Sequence, residues 1–141
     1  MNRLVIDASI AVKLVVQETG TREALALQET FRLSAPDLLI PECANILWKK
    51  FRLGELTGEE AGIAARILAG AEIELVAMRA LFGPAMQLAV ELDRPAYDCI
   101  YLALAIERDV PFVTADERFL RKIGQSRIRA IARRVRPLIG S

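Results

Sequence analysis

Short apolar runs, each too brief to make a helix, alternate along this chain with longer stretches of helical character. That alternation narrows the fold more than any other feature. Leu4-Val5-Ile6 is a continuous apolar run, as a strand buried on both faces of a parallel sheet requires. Leu33-Ser34-Ala35, Ile73-Glu74-Leu75-Val76 and Pro111-Phe112-Val113-Thr114 read as further strands, and Ile128 and Ala130 alternate with Arg127 and Arg129 as an edge strand does. Helices are expected between them. One follows Ser9 as N-cap, one runs from Thr21 to about Phe31, and one is opened by Pro41 and stops near Gly54. The next starts at the capping box Thr57/Glu60 and runs to about Ala69, followed by helices over Ala80–Leu92 and Tyr97–Glu107 and a short one capped by Asp116. Strands separated by helices predict one α/β domain over residues 1–141, with a mainly parallel sheet of 4–5 strands.

Composition agrees and excludes several chemistries. With 53% hydrophobic and 26% charged residues the chain is globular, not disordered. Lys13 interrupts the longest apolar candidate for a membrane span, and the opening Met-Asn-Arg runs straight into Leu4 without the pattern of a signal peptide. Cys43 and Cys99 have neither disulfide-scaffold nor metal-knuckle spacing, so a reduced, cytoplasmic protein with no membrane association is expected. Histidine is absent altogether, which removes a Ser-His-Asp triad, a Cys-His pair and a histidine zinc site. Acid–base or metal chemistry must run on carboxylates, lysine, tyrosine, cysteine or hydroxyls. Net charge is only +1, but from Arg118 onward stand Arg118, Arg121, Lys122, Arg127, Arg129, Arg133, Arg134 and Arg136 with no acid among them. That stretch is either a footprint for phosphates or an acidic partner, or a solvated terminal face.

Four acids fall at equivalent places on this map. Asp7 follows the first strand, Glu42 and Asp98 sit in first helical turns after Pro41 and Pro95, and Asp116 follows the strand ending at Thr114. Any one of them alone is explained as an acid at a helix start, where it complements the dipole by ~0.3–1 kcal/mol. Together they mean more, because in an open parallel sheet the strand ends that feed helices share one edge, where ligands bind. Their neighbours are mostly apolar, so the carboxylates are expected to be partly buried. Two unit charges ~4 Å apart repel by ~4 kcal/mol at an effective dielectric of 20, and protonation or a cation must offset that. Oxygen donors without imidazole or thiolate suit Mg²⁺, with Mn²⁺ as a possible substitute, and not zinc.

Residues around the acids extend the expected site. Asn45 and Lys49 lie at i+3 and i+7 from Glu42, on its helix face, where Asn45 would orient Glu42 or a water and Lys49 would meet a substrate phosphate; the alternative is a polar stripe facing solvent. Ser9 and Thr114 stand two residues from Asp7 and Asp116, Ser9 either bonding to Asp7 or serving as a plain N-cap. Cys43 and Cys99, one step of ~100° beyond a proposed ligand, point into the core. Asp37 and Asp93 read as turn acids beside prolines.

Four segments of the chain resemble the PIN-domain nucleases, and within them the VapC-type toxins of toxin–antitoxin pairs. They are Val5-Ile6-Asp7-Ala8-Ser9, Pro41-Glu42-Cys43-Ala44-Asn45-Ile46-Leu47, Tyr97-Asp98-Cys99-Ile100-Tyr101-Leu102-Ala103-Leu104-Ala105 and Val113-Thr114-Ala115-Asp116-Glu117-Arg118-Phe119. Order and spacing agree from residue 3 to about 120. The resemblance implies a three-layer α/β/α sandwich, a divalent metal held by Asp7, Glu42, Asp98 and Asp116, and endonucleolytic cleavage of RNA leaving a 5′-phosphate. It also implies a homodimer and a cognate antitoxin whose tail covers the site; Trp48 and Tyr101 are then expected in core or dimer packing, although either could stack on RNA bases. Glu117 is an extra acid, but the motif points to Asp116; the arginine-rich end matches no family motif. Two other classes compete with a toxin nuclease: a catalytically silent PIN-like protein that binds RNA or a partner and regulates, and a phosphohydrolase with an aspartyl nucleophile. The latter would want a second Asp two residues after Asp7, where Ser9 stands.

Overall fold

A computed structural model describes residues 2–125 and 134–138. Its centre is a five-stranded sheet: β1 (Arg3–Ile6), β2 (Arg32–Pro36), β3 (Ile73–Val76), β4 (Phe112–Thr114) and β5 (Val135–Pro137), in the order β3-β2-β1-β4-β5 with every pairing parallel. Among the described residues, seven helices connect and flank the strands: α1 (Ala8–Lys13), α2 (Thr21–Thr30), α3 (Leu39–Arg52), α4 (Gly58–Ala69), α5 (Phe82–Leu92), α6 (Ala96–Arg108) and α7 (Glu117–Gly124). Parallel strands need right-handed crossovers, and the strand order reverses direction once, between β3 and β4. The helices before β2 and β3 therefore cover one face and those before β4 the other. The packing follows this division, α1 against α2, α3 and α4, and α5 against α6. This is the expected three-layer α/β/α sandwich.

Local chemistry accounts for most boundaries. Thr57 and Glu60 form the capping box of α4, the Thr57 hydroxyl accepting from the Glu60 N–H and the Glu60 carboxylate from the Thr57 N–H. Asp93 ends α5 in the left-handed region at φ 51°, and Pro95 starts α6 two residues later. Three boundaries differ from expectation. The N-cap of α1 is Asp7, not Ser9, because the chain turns immediately after β1 and the Asp7 carboxylate meets the Ile10 N–H. Helix α3 begins at Leu39, with Pro41 inside its first turn, where a missing N–H costs nothing. A 3₁₀ turn, Arg79–Leu81, precedes α5, which starts at Phe82. The edge strand expected at Arg127–Ala130 lies outside the described residues, and the fifth strand observed is Val135–Pro137, which sequence reading did not mark.

The core forms where β1, β2 and β4 meet α1 and α6. Val5, Ile6, Ile10, Ala11, Ala35, Cys99, Leu102, Leu104 and Ala105 are completely buried. Phe112 on β4 joins the layers: its ring stacks on Tyr101 of α6 (centroids 5.9 Å apart, 8° between planes) and tilts against Phe119 of α7 at 5.8 Å. Both cysteines are buried as expected, whereas Trp48 is 49% exposed with the Arg52 guanidinium 5.5 Å above its ring, so it is neither a core residue nor hidden within the single chain. Among the described residues, no helix is long and apolar enough to cross a membrane. Truncating Phe112 removes both ring contacts and leaves a cavity; Phe112→Ala is expected to destabilise the fold by about 3–5 kcal/mol, measured by urea denaturation.

Candidate active site

The reversal of strand order puts a crevice at the carboxyl ends of β1 and β4, and the four acids meet there. Asp7 comes from the end of β1, Glu42 from the first turn of α3, Asp98 from the first turn of α6, and Asp116 from the N-cap of α7. They line a single open groove of about 510 Å³ with Ser9, Leu38, Asn45, Lys49, Tyr97 and Tyr101 among its walls. Asp7, Glu42 and Asp116 are at helix starts because a strand that ends at this edge must turn back through a helix whose N-terminus faces it, whereas α6 follows α5 and brings Asp98 to the same groove from its own first turn.

Asp7 is the most deeply held of the four. Its Oδ1 accepts from Ser9 Oγ at 2.5 Å and from the Ile10 N–H at 3.3 Å, and its Oδ2 accepts from the Thr114 hydroxyl on the neighbouring strand. Ser9 Oγ in turn accepts from the Ala115 N–H at 3.1 Å, and Thr114 Oγ1 accepts from the Asp116 N–H at 3.0 Å. Ser9 therefore ties Asp7 to the β4–α7 connection, and Thr114, expected beside Asp116, serves both acids. Burial pushes the Asp7 carboxyl up from 3.8 to about 6, outweighing three donated hydrogen bonds that favour the charged form, and the Asp98 charge adds to the rise.

The other acids each have a partner of their own. Glu42 Oε1 accepts from the Tyr101 hydroxyl at 2.6 Å, yet burial still raises its carboxyl above the usual range, with a further contribution from Asp98. The Tyr101 hydroxyl is itself held protonated, by burial first, then by its hydrogen bond to Glu42 and by the Glu42 charge. Asp98 is raised by burial and by the Asp116 charge, against the lowering effect of Arg94. Asp116 Oδ1 accepts from the Phe119 N–H at 3.1 Å. Burial also pushes the Cys43 and Cys99 thiols up to about 12 and 11, so neither supplies a thiolate near neutral pH.

Two site residues escaped sequence reading. Tyr101, expected as packing, keeps its ring in the core and presents its hydroxyl to Glu42, 59 residues away in sequence, which no local pattern signals. Asn45, expected to orient Glu42 or a water, and Lys49, expected to meet a substrate phosphate, both line the groove as exposed residues. Arg94 is the larger omission. Its Nη2 donates to Asp98 Oδ2 at 2.7 Å and lies 4.0 Å from Asp116 Oδ2, and its guanidinium stacks 5.9 Å from the Phe119 ring. Its place four residues before Asp98, just ahead of Pro95, was the available clue. In the arginine-rich stretch, Arg134 is structural: it donates to the Ala105 and Val110 carbonyls and pairs with Asp109 at 2.9 Å.

The donor chemistry fits a hard divalent cation. Every available donor is oxygen, the thiols are protonated, and desolvated carboxylates of one sign face a common groove. The arrangement is open, however: among the described residues no three Asp, Glu or Cys side chains are grouped closely enough to hold a metal as they stand. One reason is visible, since Asp98 is turned onto Arg94.

Comparison with known proteins agrees with the fold. The PIN-domain family model matches residues 4–124, and the chain belongs to the PIN-domain family. It is 30% identical over 123 residues to Ribonuclease VapC3 of Pyrobaculum aerophilum, covering 85% of this chain and 94% of that one, which aligns it with the VapC-type members. The crystal structure of PAE2754 from the same organism superposes with a TM-score of 0.70 at 23% identity, over 97% of this chain and 90% of that chain. VapC20 of Mycobacterium tuberculosis, a toxin described as cleaving the sarcin–ricin loop, superposes with a TM-score of 0.61 at 15% identity, over 79% and 86%. Those two likenesses bear on the fold.

The raised Asp7 carboxyl carries a stability signature. Without metal, the folded chain binds its Asp7 proton more tightly than the unfolded chain does, so this penalty is absent below about pH 4 and grows until the pH passes about 6. Asp7→Asn is therefore expected to be about 2–3 kcal/mol more stable than wild type at pH 7.5 in EDTA, with the gain vanishing near pH 4 in parallel denaturant titrations.

Proposed function

We propose that this protein, as a single nuclease domain over residues 1–141, is a Mg²⁺-dependent endoribonuclease. We further propose that it is the toxin of a toxin–antitoxin pair, acting in the cytoplasm. The observation that carries this reading is the convergence of Asp7, Glu42, Asp98 and Asp116 on one groove at the switch point of the sheet, with the carboxyls of Asp7, Glu42 and Asp98 raised by burial. A buried anionic groove without histidine is costly unless a cation occupies it, and its all-oxygen donors suit Mg²⁺, with Mn²⁺ as a substitute. Bound there, the ion would supply positive charge to the scissile phosphate and a lowered pKa to the attacking water.

The chain's own residues supply the rest of the mechanism. Asp7, fixed by Ser9 and Thr114, would hold the ion together with Asp98 from the first turn of α6 and Asp116 from the N-cap of α7. Glu42, fixed by Tyr101, holds a second ion or aligns the water that attacks phosphorus in line. Lys49 and Asn45, exposed on the groove wall, contact the substrate backbone. An RNA strand and a cognate antitoxin are the proposed partners, the latter supported by the VapC-type relatives. A homodimer is supported by Phe82, Met86 and Val90, which recur at i, i+4 and i+8 along α5 and stand exposed in the single chain.

Incubating purified protein with total RNA and Mg²⁺ and mapping new 5′ ends is the direct test. Cleavage should leave 5′-phosphates, stop with EDTA, resume with Mg²⁺ or Mn²⁺, and fall at least ~100-fold in Asp7→Asn while the circular dichroism spectrum is retained. RNA binding without cleavage would instead indicate a silent regulator, and full activity in Asp7→Asn would overturn the proposal.

A further inference from the structure

Arg94 is poorly explained as a stabilising residue. Its side chain is 19% exposed, it commits one nitrogen to Asp98, and its Nε is a buried donor with no hydrogen-bond partner among the described residues. A desolvated guanidinium with an unpaired N–H is an inefficient way to secure a loop, and a well-packed apolar side chain would serve stability at least as well. What Arg94 does have is position. It comes from the short connection between α5 and α6, outside either helix, and reaches the two acids on the α6 and α7 side of the groove, 2.7 Å from Asp98 and 4.0 Å from Asp116. Arg94 itself is not among the residues that line the groove.

The local geometry holds it there. Asp93 turns the chain in the left-handed region, the Arg94 N–H donates to the Ala89 carbonyl at 3.2 Å, Pro95 fixes the next residue, and the Phe119 ring supports the guanidinium plane. The cation is therefore pre-placed beside two carboxylates that otherwise repel each other and, through Asp98, also raise Asp7 and Glu42.

We propose that Arg94 is a built-in counterion of this site: it neutralises Asp98 and Asp116 while no metal is bound, competes with the divalent ion for Asp98, and thereby sets how tightly the site takes metal. The inference rests on the metal reading above and adds a residue to it. In the metal-free protein the guanidinium occupies Asp98 Oδ2; on metal binding that oxygen is released, and Arg94 keeps only its longer-range contact with Asp116. The exchange moves no proton and breaks no covalent bond. It also accounts for the open geometry, in which the acids share a groove without forming a closed ligand set.

Isothermal titration of Mg²⁺ and of Mn²⁺ into the full chain tests this without reference to cleavage. Arg94→Gln and Arg94→Ala should each bind the ions about tenfold more tightly than wild type, because a fixed positive charge beside a dication has been removed. Both should melt at lower temperature than wild type in EDTA and recover most of the difference when Mg²⁺ is added. Arg94→Lys, which keeps the charge, should stay near wild-type affinity. A purely structural Arg94 predicts the opposite order, with metal bound equally or more weakly in all three. On the wild-type protein, the Arg94 Nε–H resonance should shift in step with metal occupancy; an unmoved resonance at saturation overturns the proposal even if the variants do not fold. Wild-type binding that is normal but not tightened by Arg94→Gln overturns this inference alone. A wild type that binds neither ion removes the metal reading, and this inference with it.

Discussion

Like charge in a poorly solvated place is the constraint around which this molecule is organised. At the seam between β1 and β4, carboxylates from three helix starts and one strand end face the same groove, and burial raises three of them above their ordinary range. Such a cluster persists only because the surrounding structure over-determines it. Asp7 is held by two hydroxyls and a backbone N–H, Glu42 by a phenol, Asp98 by a guanidinium, and Asp116 by the backbone of its own helix. Each acid therefore has a partner within the protein before any ligand arrives, and for Asp98 that partner is a cation and not a hydroxyl or backbone N–H.

The same contacts tie site to core. Thr114 belongs to β4 and bonds to the acid at the end of β1, so the strand pairing and the position of Asp7 are one structural fact. Phe112, two residues earlier, is packed between Tyr101, which orients Glu42, and Phe119, whose ring supports Arg94. A single aromatic stack thus backs both flanks of the groove. This is why a fold made of ordinary α/β crossovers carries a site with so little local slack. The PIN-domain family match spans residues 4–124, the stretch that contains all four acids.

Much of this was legible from residues alone. The apolar run Leu4-Val5-Ile6, the Thr57/Glu60 capping box and the acids Asp7 and Asp116 just after β1 and β4 are local signals, and the structure places each of them there. Misreadings came where two local explanations competed. Ser9 and Asp7 are both good N-caps, and the abrupt exit from β1 decided for Asp7, freeing Ser9 to bond to it. Pro41 is a common first helical residue, but Leu39 and Ile40 were able to extend α3 by two positions ahead of it. Trp48, an obvious core candidate by size, stays on the surface because the buried face of α3 is taken by Leu39, Cys43 and Leu47.

The sequence by itself determined which groups were available and on which edge they would gather: oxygen donors without imidazole, two apolar cysteines, and acids at the starts of helices that follow parallel strands. Only the tertiary structure decided how those groups are paired. Tyr101 with Glu42, Thr114 with Asp7, and Arg94 between Asp98 and Asp116 depend on which helices cross near the sheet edge and at what rotation. Helix periodicity and strand alternation constrain a residue's face within its own element. The meeting of two faces from different elements is set by packing, and a partner 59 or 107 residues away leaves no local trace in the chain.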